Sequence, residues 1–284
     1  MKQLLSIVAI GALLSMGAVA NEAKAQTKTE QTQTKQQSGN VINLAGKQRM
    51  LTQKMSKEAL FVAKGIDVDA NKENLKKTAA LFDKTLKGLV NGDEELKLPK
   101  TEDKAILAQL QTVNELWTPF KANIDKVIDG KADKATLEAI AKENIPLLKN
   151  MNKAVGMYAD ASGSKIDPEM AKTINLAGKQ RMLTQKMTKE LLLVANGIDA
   201  DANKANAQKT GKLFESTLKD LTANTKDEAI KNQLNTVAKL WEEYKVIIEK
   251  VDTSDDALKK AQELNMPLLK EMNKAVKMFE ASIK

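Results

Sequence analysis

The sequence predicts an all-α protein: two tandem antiparallel four-helix bundles that follow a signal peptide and a flexible linker. Three observations carry this prediction. The composition favours helix, the chain repeats itself once at domain length, and each copy divides into four amphipathic segments separated by glycine-marked breaks.

Among 284 residues there are only 13 glycines and 5 prolines, while the helix formers Leu, Ala, Lys, Glu, Gln and Met dominate. Apolar residues make up 42%, enough for a sizeable core in each of two domains. There is no cysteine and no histidine. Disulfides, thiol nucleophiles, His-based acid–base chemistry and the usual zinc sites are thereby excluded. No paired carboxylates stand at a distinctive spacing, so the chain reads as a binding protein, not an enzyme, with no cofactor. The net charge of +8 raises nucleic acid as a partner. The lysines, however, alternate with acids along helix faces and aromatics are only 3%, so the expectation is no nucleic acid and a solvated Lys/Glu surface.

At the N-terminus, Lys2 precedes an apolar run, Leu4 to Val19, that closes on Ala18-Val19-Ala20. This reads as a secretory signal peptide over residues 1–20, with Ala23-Lys24-Ala25 as a second candidate cleavage site. Cleavage sends the protein to the periplasm; the alternative is an uncleaved anchor in the inner membrane. Residues 21–39, rich in Gln, Thr and Lys and without large apolar side chains, read as a disordered linker.

The repeat follows. Residues 42–72 align without gaps on 174–204, at an offset of 132, with 26 of 31 positions identical. The first 14, INLAGKQRMLTQKM, are all identical. Leu116-Trp117 corresponds to Leu240-Trp241 at an offset of 124, and NIPLLKNMNKAVGM from Asn144 to NMPLLKEMNKAVKM from Asn265 at 121. The shrinking offset places extra residues of the first copy near Gly92 to Ala105. The two domains are therefore drawn at residues 40–162 and 166–284. In the first copy the helices are expected over Val41–Lys64, Ala70–Val90, Asp103–Ile128 and Ala135–Ala161. Pro146 and Pro267 fall inside the fourth helix of each copy and should kink it. Asp167-Pro168 reads as a helix start. Trp117, Phe120, Trp241 and Tyr244 read as core aromatics.

On a helical wheel with Leu44 at zero, Leu51, Met55 and Val62 fall within about 20° and form the core stripe. A second face, at about 140–200°, holds Ile42, Gly46, Arg49, Gln53 and Leu60 instead of the charged residues of a solvated side. Glycine inside a helix costs about 1 kcal/mol against alanine. Both copies accept that cost, at Gly46 and Gly178, which points to close approach of another helix or a ligand. Of 45 basic residues only Arg49 and Arg181 are arginine, at equivalent positions of the repeat. A guanidinium is planar, stays charged and suits oxyanions. A salt bridge to Glu58 is the plainer alternative. Asp67-x-Asp69-x-Asn71 and Asp199-x-Asp201-x-Asn203 resemble the start of a calcium loop but lack its glycine and glutamate, so they read as helix N-caps and no metal is expected.

AGKQRMLTQKM resembles the motif that opens the PilJ-type domain, the N-terminal sensory region of type IV pilus chemotaxis transducers. It is also similar to the periplasmic motif of NarX-type nitrate/nitrite sensor kinases. The resemblance implies four-helix bundles that sense a small ligand outside the cytoplasm. It implies a nitrate- or nitrite-like anion held between paired first helices by Gly46, Arg49, Gly178 and Arg181. Lys47, Gln53, Lys179 and Gln185 are the supporting residues. Lys47 and Lys179 stand where the kinases carry a small uncharged residue, and Gln48 and Gln180 are closer to the pilus transducers. The relatives continue into a membrane helix and an output domain; here the second bundle is the last segment, so the signal is expected to pass to a membrane chemoreceptor or sensor kinase. The alternative is a protein-interaction module that docks this face on such a transducer or homodimerises through it, with no small ligand.

Overall fold

The computed structural model describes residues 12–283, with side chains from Thr34 onward (Ser164 excepted). The expected signal peptide lies outside the described residues up to residue 11. The described residues form eight α-helices: α1 (Ala12–Ala63), α2 (Val68–Asn91), α3 (Lys104–Ile128), α4 (Lys134–Ala161), α5 (Pro168–Ala195), α6 (Ala200–Asn224), α7 (Glu228–Lys250) and α8 (Asp255–Ala281). A 3-10 turn, Ser162–Ser164, joins the copies. The only strand-like feature among the described residues is one bridge, Asp93 to Leu98, in the extra loop of the first copy. None of the described helices is long and apolar enough to cross a membrane.

The four-helix pattern of each copy is as the sequence predicts, and α1–α4 and α5–α8 each close into a bundle of neighbouring helices. Asp103, Asp133, Asp167 and Asp227 cap α3, α4, α5 and α7 through their side chains, with Pro168 in the first turn of α5. Trp117 packs tilted against Phe82, ring centroids 4.5 Å apart, and Trp241 likewise against Phe214 at 4.9 Å, deep in the two cores. Helices α4 and α8 run through Pro146 and Pro267 without a break, and α3 likewise contains Pro119.

One expectation is corrected, and one segment is placed: residues 21–39, read as a linker, lie within α1. The segment has no proline, and its Ala, Gln, Lys and Glu propagate a helix once the packed part has nucleated it. Asp67 and Asp199 sit at the starts of α2 and α6, but in the left-handed conformation (φ 41° and 42°) and without a side-chain cap bond. The local closure comes from Asn71 and Asn203, whose Nδ2 atoms donate to the Ile66 and Ile198 carbonyls at 2.9 Å.

The two bundles meet along α1 and α5, the most extensively packed helix pair. The helices run parallel: Gly46 lies level with Gly178, and further along the Asn196 amide approaches the Leu60 carbonyl. Helix α1 is therefore buried on both sides. Leu51 and Met55 of the stripe are buried, and so are Ile42, Gly46, Arg49, Gln53 and Leu60 of the second face. Because each first helix is core to both bundles, the copies should unfold as one unit. Calorimetry is expected to show a single transition with equal calorimetric and van't Hoff enthalpies; two resolved transitions would contradict the shared core.

Candidate functional site

The second faces of α1 and α5 bring the two arginines together. Both are fully buried, at 1% exposure. Arg49 Nη1 donates to Asn152 Oδ1 of α4 at 2.8 Å, and its Nη2 crosses to the Asn175 carbonyl of α5 at 3.1 Å. Arg181 mirrors this: Nη1 donates to Asn273 Oδ1 of α8 at 2.9 Å and Nη2 to the Asn43 carbonyl of α1 at 3.1 Å. Each guanidinium is thus held upright by an asparagine of its own copy and reaches a backbone oxygen of the other.

The glycines make room for this crossing. A Cβ on Gly46 would lie 3.2 Å from Arg49 Nη2 and 3.8 Å from Arg181 Nη2; on Gly178 it would lie 3.4 Å from both. Both terminal nitrogens therefore share one small space walled by two glycine backbones.

The electrostatics are unusual. Among the described residues neither arginine is in a salt bridge; Glu58, the carboxylate the sequence offers Arg49, pairs with Lys54 instead, as Glu190 does with Lys186. Burial, and then the charge of Arg181, holds Arg49 down to about 9, and burial holds Arg181 to about 10 despite Glu280, which raises it. Both remain protonated at neutral pH. A guanidinium carries five N–H donors. Protein acceptors take three bonds from Arg49 and two from Arg181, whose Nε has none. Unspent donors on two buried cations are a strong demand for an acceptor, and a negatively charged one satisfies both the hydrogen bonding and the charge.

The supporting residues divide. Lys47 is half-buried, and its pKa is lowered by burial first and then by the charges of Arg181, Lys277 and Lys54. Lys179, its equivalent, is half-buried. Gln53 and Gln185 do not join the arginines. One turn further along, Gln53 Nε2 donates to Asn144 Oδ1 at 2.8 Å and Gln185 Nε2 to Asn265 Oδ1 at 2.9 Å. They share the arginine face, but the rise of a helix turn sets them in a different layer.

That second layer is one the sequence reading missed. Lys57 and Lys189 are buried, and each crosses to the other copy: Lys57 Nζ to Asn265 Oδ1 at 2.8 Å, Lys189 Nζ to Asn144 Oδ1 at 3.2 Å. The wheel held the signal, since Lys57 falls at about 220°, on the edge of the second face. Burial lowers Lys57 to about 7 and Lys189 to about 8. No cluster that could hold a metal ion occurs among the described residues.

Fold and site define the class, an all-helical sensory ligand-binding domain present twice in one chain. The chain belongs to the family described as "Type IV pili methyl-accepting chemotaxis transducer N-term" (PilJ), whose match covers residues 31–142 and 167–265, one segment in each copy. A curated relative is the methyl-accepting chemotaxis protein McpN of Pseudomonas aeruginosa, 30% identical over 123 residues, which are 43% of this chain and 22% of McpN. The match thus spans under a quarter of that relative's length. A solved structure, "Ligand binding domain (LBD) of the p. aeruginosa nitrate receptor McpN", is 31% identical and covers 43% of this chain and 96% of its own, with a TM-score of 0.39.

The buried lysines generate a pH prediction. Their folded pKa values lie below the ordinary 10.5, so the neutral form is favoured in the fold. Folding carries the full cost of discharging or burying them at low pH, and that cost fades as pH rises. Stability should therefore increase between about pH 7 and about pH 10. In Lys57→Met plus Lys189→Met the melting temperature is expected to be at least that of the wild type at neutral pH, with a flatter pH dependence; Asn144 and Asn265 keep their glutamine donors. An unchanged slope would contradict the assignment.

Proposed function

We propose that the protein is a periplasmic sensory protein that binds one small oxyanion between α1 and α5, each copy (residues 40–162 and 166–284) supplying one arginine. The observation that supports this most directly is the convergence of two buried guanidinium groups, neither in a salt bridge, on a space walled by Gly46 and Gly178. A planar anion there would accept from both Nη2 groups and neutralise the charge they share. Lys47 and Lys179 add positive potential at the rim. The relative's description as a nitrate receptor makes nitrate the first probe, with nitrite next. Membership of the chemotaxis-transducer family supports a sensing role whose output passes to a membrane chemoreceptor or sensor kinase.

The alternative, a face that docks on a transducer or homodimerises without a ligand, is supported less well. The arginine face is covered by the other copy of the same chain, and side chains 1% exposed offer no outside partner an anchor.

Nitrate at 100 times its Kd is expected to stabilise the fold by about 2.7 kcal/mol, read as a rise in melting temperature, and Arg49→Ala plus Arg181→Ala to abolish that rise. Undiminished binding in the double variant would refute the site. Gly46→Ala and Gly178→Ala separate binding from folding. The new methyl improves helix propensity, yet it stands against the guanidinium tips. Each is expected to weaken nitrate binding roughly tenfold or more while costing under about 1.5 kcal/mol of stability, measured by calorimetry and thermal melting.

A further inference from the structure

The arginine site is built from equivalent pairs, with one exception. Asn43 and Asn175, Asn152 and Asn273, Gly46 and Gly178 all recur at the repeat offsets. Glu280 does not: the equivalent position of the first copy is Ala159. Glu280 lies half-buried in the last turn of α8, and its Oε2 accepts a hydrogen bond from Asn43 Nδ2. Asn43 is the residue whose carbonyl accepts from Arg181 Nη2. One asparagine thus ties the carboxylate to the backbone that holds the guanidinium.

The carboxylate acts on the site. It supports the charged form of Arg181, while Arg49, whose copy has alanine at the equivalent place, feels only burial and the repulsion of Arg181. In return Asn43, Arg181 and Lys277 favour the charged form of Glu280 against burial, which raises its pKa. Glu280 and Lys277 also line an open cavity of about 950 Å³ with Gln36, Asn40 and Lys97. Lys97 belongs to the extra loop of the first copy, which Asn40 ties to α1 by donating to the Leu96 and Lys97 carbonyls. This side of the site therefore opens to solvent, sets one carboxylate among two lysines, and is unlike its mirror image, where Ala159 replaces Glu280.

Resting on the anion-site reading above, we propose that Glu280 is a specificity-determining residue: a resident counter-charge, fixed by Asn43, that offsets Arg181 and sets how strong an anion must be to bind. An incoming anion meets one arginine at full strength and one whose field is partly cancelled. The site then rejects weakly held anions that two uncompensated arginines would take, and a single ligand is bound asymmetrically despite the near-twofold frame.

The test is nitrate affinity by calorimetry on the full chain, for wild type, Glu280→Gln, Glu280→Ala and the mirror variant Ala159→Glu, with thermal melting of each. Glu280→Gln keeps an acceptor for Asn43 and removes only the charge. The expected result is a Kd about three- to tenfold tighter in both Glu280 variants and weaker by a similar factor in Ala159→Glu. A purely structural role would weaken binding in the Glu280 variants. Wild-type binding that Glu280→Gln leaves unchanged or weakens overturns this inference alone. Binding that appears only in the Glu280 variants supports it in its strongest form. No binding in any of the four overturns it together with the anion site.

Discussion

Two hydrogen bonds organise the molecule: Arg49 to the Asn175 carbonyl and Arg181 to the Asn43 carbonyl. Each carries a permanent charge from one copy into the backbone of the other. Such a crossing requires α1 and α5 to run parallel and in register, and it requires their backbones to come closer than side chains normally allow. The first condition fixes how the bundles pack; the second is why each copy carries a glycine inside its first helix. Burying a guanidinium without a carboxylate in contact is expensive. Carbonyl and asparagine oxygens offset part of that cost and leave donors unspent, and those donors turn a packing device into a candidate binding site.

The lysine layer obeys the same logic with a different outcome. Lys57 and Lys189 also cross between copies and also find only amide oxygens. A lysine can shed its proton when desolvated, whereas an arginine keeps its own. The two layers therefore split the work: the lysine layer can be neutral and serve cohesion, while the arginine layer stays charged and asks for an anion. The choice of arginine at just two positions in a lysine-rich chain follows from this difference.

Most of the frame was legible in the sequence because periodicity and repetition report it directly. Most of the second face of α1, the glycines and the lone arginines lay in the identical INLAGKQRMLTQKM block, and the structure brings Gly46, Arg49, Gly178 and Arg181 into one space. Gln53 and Gln185 misled because a wheel shows angle and not height; they serve Asn144 and Asn265 one turn away. The backbone acceptors were illegible in principle, since a carbonyl looks the same at every residue. Residues 21–39 lie within α1, and composition alone does not tell a polar helix continued from a packed one from a free linker. Glu280 was visible as a difference between otherwise matched segments, but only the fold shows that it reaches Asn43.

The central claim is that two crossed arginines form one anion site, and a crystal structure grown with nitrate addresses it most directly. A single planar anion bonded to both Nη2 groups, between the Gly46 and Gly178 backbones, is the expected result. Density elsewhere, or arginines that keep the Asn43 and Asn175 carbonyls with no anion between them at saturating nitrate, would contradict it.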